Sequence, residues 1–173
     1  EGGSLVRAEF LNHVDMIDKT RKFVLFDNNV GRLYMAQTGL ISATGGVAFP
    51  THKTAMTLAP GARSLADGTN TLDLRFESAE VGGVKLIKTY TLTRGSYAVA
   101  VKHEVLNVGS SPVAPQLYLQ LVRDGNKPPG ESSFYSTFTG PAVYTLAQKY
   151  QKVEFTDIEK GKVEIEKSAT NGY

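Results

Sequence analysis

Polar and apolar side chains alternate with a period of two along residues 84–93. Because successive side chains of a β-strand point to opposite faces, this alternation predicts a half-buried strand. Lys88 is the charged exception on the apolar face, and Ile87 is the apolar exception on the polar face. The apolar face carries Val84, Leu86, Lys88, Tyr90 and Leu92, and the polar face carries Lys85, Ile87, Thr89, Thr91 and Thr93.

A second strand follows a break at Arg94-Gly95-Ser96, where glycine can adopt a positive φ without steric cost. Apolar and polar positions alternate again over residues 97–104, with His103 on the apolar face. Two such runs across a short glycine-containing loop predict an antiparallel hairpin. The alternation slips by one residue at Val105-Leu106, which predicts a bulge or the end of the strand.

Several shorter segments also have the composition of strands. Three apolar residues at helical spacing favour a short helix to about residue 151, although a strand over residues 149–155 is the alternative. Charged neighbours around two apolar residues favour an edge strand over residues 162–167, and residues 124–133 have the composition of an exposed loop. The remaining predicted strands cover residues 5–12, 23–26, 33–36, 54–58, 70–76 and 116–121.

Many short strands separated by turn residues predict an all-β protein, a large antiparallel β-sandwich with one or two short helices. Residues 70–76 and the two strands of the hairpin are expected to form three consecutive strands of a meander. A length of 173 residues suits a single domain over residues 1–173.

Composition excludes several classes of protein. Hydrophobic residues make up 41% of the chain and charged residues 21%, which argues against disorder over the whole length. A net charge of +2 gives no basic field of the kind that nucleic-acid-binding proteins use. The chain has no cysteine, so disulfides, thiolate metal sites and a cysteine nucleophile are excluded. No apolar run is long enough to predict a membrane span.

The histidines are the candidates for acid–base chemistry. A sugar-epimerase site needs a histidine acid and a carboxylate base that face one ring across a cleft. His103 lies among valines on an apolar face, which is typical of a core histidine with one bonded ring nitrogen, and His52 is expected in a solvated loop. No pair has metal-ligand spacing. We therefore predict no catalytic residue, no cofactor and no metal.

Four residues are candidates for binding a partner. Lys85, Lys88 and Lys102 place positive charge on the hairpin, either as solvated lysines or as a docking surface for a protein or for anionic headgroups. The stem of Lys88 would either snorkel over the sheet or face a groove. Tyr118 alternates with two glutamines in a predicted strand. That face would line a cleft for an extended peptide or a sugar, or would be ordinary exposed surface.

The hairpin sequence KTYTLTRGSYAVAVKHEVLNVG resembles the central hairpin of the large periplasmic domain of the YidC membrane-protein insertases of Gram-negative bacteria. Two other regions are similar to that family. The Gly-Gly pair of EGGSL resembles the point where the ordered strands of the family's domain begin. The tripeptide FTG followed by QKYQKVEF resembles the family's F-x-G and K-Y-x-K-x-x-F region.

This resemblance implies a super-sandwich similar to that of galactose mutarotases. It also implies a location on the periplasmic face of the inner membrane, with a transmembrane anchor before Glu1 and the insertase core after Tyr173. Because the insertion chemistry of the family belongs to that core, this domain would be a non-catalytic and monomeric interaction module. Its partners would be the translocon subunits SecD and SecF and nascent membrane proteins, and no nucleic acid.

Two other functions stay open at the level of sequence. A carbohydrate-binding or mutarotase-like sandwich would need a cleft with convergent polar groups, and the absence of tryptophan weakens this alternative because sugar sites commonly use aromatic faces. A passive spacer between the anchor and the core would need no binding surface. Substitution of the hairpin lysines would distinguish a spacer from a docking module.

Overall fold

A computed structural model describes residues 1–43, 45–127, 130, 134 and 137–165 of the chain. Most of its regular structure is β-strand, which confirms the predicted all-β class. The elements are β1 (Ala8–Val14), β2 (Lys22–Asn29), β3 (Arg32–Ser42), β4 (Met56–Leu58), β5 (Thr71–Ser78), β6 (Val84–Thr93), β7 (Val99–Asn107), β8 (Pro115–Arg123), β9 (Ala142–Thr145), β10 (Lys149–Lys152) and the helix α1 (Phe155–Glu159).

The strands form three sheets. The order of the first sheet is β1-β2-β3-β8, the order of the second is β4-β5-β6-β7, and β9 pairs with β10. Strands β5, β6 and β7 are consecutive and antiparallel, so the predicted meander is confirmed. Among the described residues no helix has the length and hydropathy that a membrane crossing requires.

The chain divides into two compact units. The first comprises Glu1–Ala8 and Leu25–Val122, and the second comprises Glu9–Val24 and Arg123–Tyr173. The first unit holds β3, most of β2 and of β8, and the whole second sheet, and these strands form the sandwich. The single domain expected from chain length stays a prediction. The core of the first unit consists of Leu40, Phe49, Val84 and Leu86, with Met56 and Val113 packed against it.

Strand β6 is covered on its predicted apolar face. Val84, Leu86 and Tyr90 are buried there, as the alternation predicts, and so is Lys88, the charged exception. Ile87, the apolar exception on the opposite face, is also buried. Because β6 lies between β5 and β7, both of its edges are paired as well, which makes this strand the centre of the second sheet.

Of the two alternatives predicted at Val105-Leu106, the bulge is wrong, whereas the strand does end close by, at Asn107. The pairing of β6 with β7 runs without a break from Val84 opposite Asn107 to Leu92 opposite Val99. Strand β7 is the last strand of its sheet, and Val105 and Leu106 are both partly exposed. A slip in the apolar pattern therefore costs little at this position, because no core encloses both faces of the strand.

The helix predicted near residue 151 is also wrong. Residues 142–152 form a tight antiparallel hairpin, in which the backbone N–H of Gln148 donates to the Oγ1 of Thr145 at 3.0 Å. Leu146 and Tyr150, whose spacing suggested a helix, are largely exposed. No apolar helix face is therefore buried at this position.

The predictions for the last part of the chain have mixed outcomes. The helix α1, which begins at Phe155, lies in a segment for which no helix was predicted. The edge strand expected over residues 162–167 is wrong for residues 162–165, which form no strand, and the remainder lies outside the described residues. In the predicted loop, residues 124–127 form neither helix nor strand, and several of residues 128–133 lie outside the described part.

Candidate interaction site

Lys88 lies in the middle of β6, and 0% of its surface is exposed. Its ammonium group donates hydrogen bonds to the backbone carbonyls of Gly2 and Thr38, the second at 2.7 Å. Because a buried charge is tolerated where hydrogen bonds replace water, these carbonyls explain how a lysine occupies an apolar face. The predicted snorkelling stem is therefore wrong, and the amine of Lys88 cannot reach a docking partner. The alternative, that this face opens to a groove, holds at Tyr90, which lines a groove on the same face of β6.

The polar groups around Lys88 connect the two sheets of the first unit. His103 on β7 lies opposite Lys88, and its Nε2 is 2.8 Å from the Oγ1 of Thr38 on β3. Burial lowers the pKa of the Lys88 ammonium to about 8. Burial and the positive charge of Lys88 also lower the pKa of His103. His103 thus has the bonded ring nitrogen that the sequence predicts, although it is half-buried and not a core residue.

The same cluster binds the two glycines near the start of the chain. Tyr90, on the same face of β6 as Lys88, donates its hydroxyl hydrogen to the carbonyl of Gly3, and burial raises its pKa. Gly2 has a φ of +61°, and a Cβ there would lie 2.1 Å from the carbonyl oxygen of His52. Only glycine fits this position. The sequence analysis did not predict that Lys88 and Tyr90 bind the carbonyls of Gly2 and Gly3. The Gly-Gly pair was the one sign in the sequence of a close backbone approach there.

Tyr118 on β8 uses its hydroxyl group inside the sandwich. The hydroxyl oxygen accepts the backbone N–H of His52 at 2.9 Å and lies within hydrogen-bonding distance of the Nδ1 of that histidine. A Cβ at Gly39 would lie 2.5 Å from the same oxygen, so this glycine leaves the space that the hydroxyl occupies. Gln120, on the same face of β8, donates to Gln37 at 2.6 Å. This face of β8 therefore points into the first unit.

Replacing Tyr118 by phenylalanine should lower the free energy of unfolding by about 1 to 2 kcal/mol, because the N–H of His52 loses its acceptor in a partly buried place. Urea denaturation followed by circular dichroism measures this change. The control is Tyr150→Phe, since Tyr150 is mostly exposed and its substitution should change stability by less than about 0.5 kcal/mol. Equal losses in the two variants would contradict a structural role for the Tyr118 hydroxyl.

A groove of about 320 Å³ opens between the two sheets of the first unit. Its size is at the small end of the range for ligand sites, and apolar side chains form most of its wall. Gln120 borders it, whereas Tyr118 lies outside its lining. The lining residues are Leu5, Ala36, Gln37, Thr38, Tyr90, Val101, Leu119, Gln120 and Leu121.

Lys85 and Lys102 lie on the opposite face of the second sheet from Lys88. The Nζ of Lys85 is 2.8 Å from Glu77, and the Nζ of Lys102 is 3.3 Å from Glu104. Glu104 also pairs with Arg75 at 3.2 Å. The hydrogen bond between Lys85 and Glu77 raises the pKa of the lysine and lowers the pKa of the glutamate. The structure therefore brings these two predicted contact residues to one polar surface with alternating charge.

The chemical partners of the histidines differ from those of an epimerase. The side chains bonded to His52 and His103 are the hydroxyl groups of Tyr118 and Thr38, whereas an epimerase pairs its histidine with a carboxylate. A search of the described residues finds no group of three or more histidine, aspartate or glutamate side chains that could hold a metal ion. What the geometry offers is a rigid polar face and an apolar groove.

Comparison with known proteins identifies the family. The sequence pattern of the YidC periplasmic domain family matches residues 1–173. This chain belongs to the YidC periplasmic domain family. The resemblance of the hairpin to that family is thereby confirmed, and the match favours an insertase domain over a carbohydrate-binding or mutarotase-like module.

Three relatives illustrate the similarity to YidC proteins. The membrane protein insertase YidC of Janthinobacterium sp. (strain Marseille) is 50% identical over 172 residues, which is 99% of this chain and 29% of the relative. The proteins of the same name from Bordetella parapertussis and Cupriavidus metallidurans are 49% and 47% identical, each over 99% of this chain and 30% of the relative. The chain thus spans less than a third of the length of these YidC relatives.

Proposed function

We propose that this chain is a non-catalytic interaction domain of a membrane-protein insertase on the periplasmic face of the Gram-negative inner membrane. It assists the insertion and folding of inner-membrane proteins with or without the Sec translocon. The observation that carries this proposal is the match of all 173 residues to the YidC periplasmic domain family. The shared name of the relatives, membrane protein insertase, supports the activity of the whole protein.

The proposed docking surface is the polar face of β5, β6 and β7, which includes Lys85 and Lys102. Basic and acidic side chains alternate on it, as the pairs of Lys85 with Glu77 and of Lys102 with Glu104 show. A balanced face of this kind suits a protein with complementary charges, whereas anionic headgroups attract an excess of basic residues. The partners we propose are periplasmic parts of SecD and SecF and nascent membrane proteins.

Docking on this face requires no bond to be made or broken. The meander presents a rigid surface, because β6 is paired on both sides and its other face is anchored in the core. Exposed charges at an interface mainly set the rate of association and the choice of partner. Lys88 has no part in this surface because it is buried, and Tyr118 has none because its hydroxyl is bonded to His52.

The double variant Lys85→Glu and Lys102→Glu in the full-length insertase tests the docking surface. We expect crosslinking to SecD and SecF to fall about tenfold, since like charges would then lie side by side on this face. Quantitative crosslinking in inner-membrane vesicles measures the effect. The matched control is Lys22→Glu with Lys53→Glu, which introduces the same charge change at two exposed lysines elsewhere. Unchanged crosslinking in a folded Lys85/Lys102 variant would refute docking through this face.

A further inference from the structure

The hairpin of β9 and β10, in the second unit, exposes two tyrosines and a leucine. The exposed fractions are 44% for Tyr144, 64% for Leu146 and 61% for Tyr150. Tyr144 and Tyr150 lie directly opposite each other in the pairing of the two strands, so both rings are on the same side of the hairpin. Leu146 lies in the turn that joins the strands. The hairpin therefore presents an exposed aromatic pair with a leucine at its turn.

The opposite face of this hairpin holds it in the second unit. Thr145 is 0% exposed, and Val143 and Gln151, which lie opposite each other in the pairing, are half-buried. Within the turn, the Oγ1 of Thr145 accepts the backbone N–H of Gln148 at 3.0 Å. Because one face is buried and the turn is hydrogen-bonded, the exposed tyrosines have a fixed direction within the second unit.

The charge of the hairpin has one sign. Residues 142–152 contain Lys149 and Lys152 and no aspartate or glutamate, and both lysines are exposed. The Nζ of Lys152 lies 5.2 Å from the centroid of the Phe138 ring, a contact that holds the ammonium near the strand without neutralising its charge. The first acidic residue after the hairpin is Glu154. Positive charge thus lies beside the exposed tyrosines.

Tyrosine, leucine and lysine together suit the interfacial region of a lipid bilayer. The ring of a tyrosine is stable at the boundary of the acyl chains while its hydroxyl group stays in water. Lysine ammonium groups bind anionic headgroups. Exposed tyrosines also occur at protein interfaces, so the charge decides between the two kinds of partner. The polar face of β5, β6 and β7 alternates acidic and basic side chains, whereas this hairpin carries basic ones alone.

We propose that the hairpin of β9 and β10 contacts the surface of the bilayer. Tyr144, Leu146 and Tyr150 enter the interfacial region, and Lys149 and Lys152 bind anionic lipid headgroups. This inference rests on the proposed location of the domain on the periplasmic face of the inner membrane. It adds a lipid-binding surface in the second unit to the protein-binding surface proposed for the first.

A fluorescent label at Leu146→Cys in the full-length insertase tests this contact. Residues 1–173 contain no cysteine, and any cysteine elsewhere in the insertase is replaced by serine. The protein is reconstituted in vesicles of phosphatidylethanolamine and phosphatidylglycerol, with or without lipids that carry a spin label on the headgroup. We expect the spin label to lower the fluorescence about twofold, because it quenches only fluorophores that lie at the membrane surface. Equal fluorescence in the two kinds of vesicle would overturn the proposal.

Two pairs of substitutions show which side chains make the contact. Lys149→Glu with Lys152→Glu should abolish most of the quenching, since anionic headgroups would then repel the hairpin. The matched control is Lys160→Glu with Lys162→Glu, the same charge change at exposed lysines of the second unit outside the hairpin, and it should leave the quenching unchanged. An equal loss in both variants would contradict a specific role of the hairpin.

An aqueous quencher distinguishes a membrane from a protein partner. If iodide ions fail to reach the label at position 146 and the spin-labelled lipids do not quench it, a protein covers the hairpin and the proposal is wrong. Crosslinking to SecD and SecF through Lys85 and Lys102 is measured on another face of the molecule. Failure of the lipid contact is therefore distinguishable from failure of the proposed docking surface.

Discussion

Replacing Leu86 by alanine should lower the free energy of unfolding by about 3 to 4 kcal/mol. Leu86 is 1% exposed and belongs to the core cluster with Leu40, Phe49 and Val84. Removing a buried leucine side chain costs its transfer free energy together with the energy of the cavity left behind, which amounts to about 2 to 5 kcal/mol. The paired strands on both sides of β6 restrict relaxation into that cavity, so the upper half of this range is expected.

Leu92 provides a matched control on the same strand. It has the same side chain and the same face of β6, but 37% of its surface is exposed. The substitution Leu92→Ala should lower the free energy of unfolding by about 1 kcal/mol, because folding removes less apolar area of this side chain from water. Urea denaturation gives both values. A Leu86 variant no less stable than the Leu92 variant would show that the core is centred elsewhere.

The stability of the protein should rise between about pH 8 and the ordinary pKa of lysine because of Lys88. Burial holds its pKa at about 8 in the folded state, against 10.5 for an exposed lysine. Between these values the unfolded chain binds a proton that the folded chain releases, so raising the pH favours folding. Across the whole window the gain amounts to about 3 kcal/mol. Below about pH 8 the charged amine is present in both states and the gain is absent.

The measurement is the difference in unfolding free energy between the wild type and Lys88→Met, determined from pH 7 upwards. Taking the difference cancels the contributions of groups that titrate in both proteins. Tyr90 is one of them: burial raises its pKa in the folded state, so stability falls with pH as this tyrosine ionises in the unfolded chain. Lys22→Met, at an exposed lysine, should keep the rise seen in the wild type. A Lys88→Met protein whose stability follows the wild-type curve would show that the amine titrates normally.

Strand β6 separates the two roles that we assign to the second sheet. One face is fixed in the core by apolar packing and by the amine of Lys88, and the opposite face carries the charged pairs of the proposed docking surface. Alternation along a single strand therefore produces both the stability of the meander and the surface that it offers to a partner.

The sequence by itself determined the parts of this protein that depend on local pattern. Alternation along residues 84–104 was sufficient for the hairpin and for the buried face of β6, because side-chain direction in a strand follows from position alone. The residues of the same hairpin also carried the resemblance to the YidC family. The spacing of Leu146 and Tyr150 misled, because a short segment can match helical spacing without a surface to pack against.

Only the tertiary structure decided what happens to Lys88 and to β8. The carbonyls that bind Lys88 belong to residues 86 and 50 positions away in the sequence, so no local pattern contains them. The two faces of β8, one of leucines and one of Tyr118 with glutamines, are each compatible with the interior. The face of Tyr118 and Gln120 turns inward because His52 and Gln37, which are distant in the sequence, provide their hydrogen-bond partners. Buried polar groups need such partners.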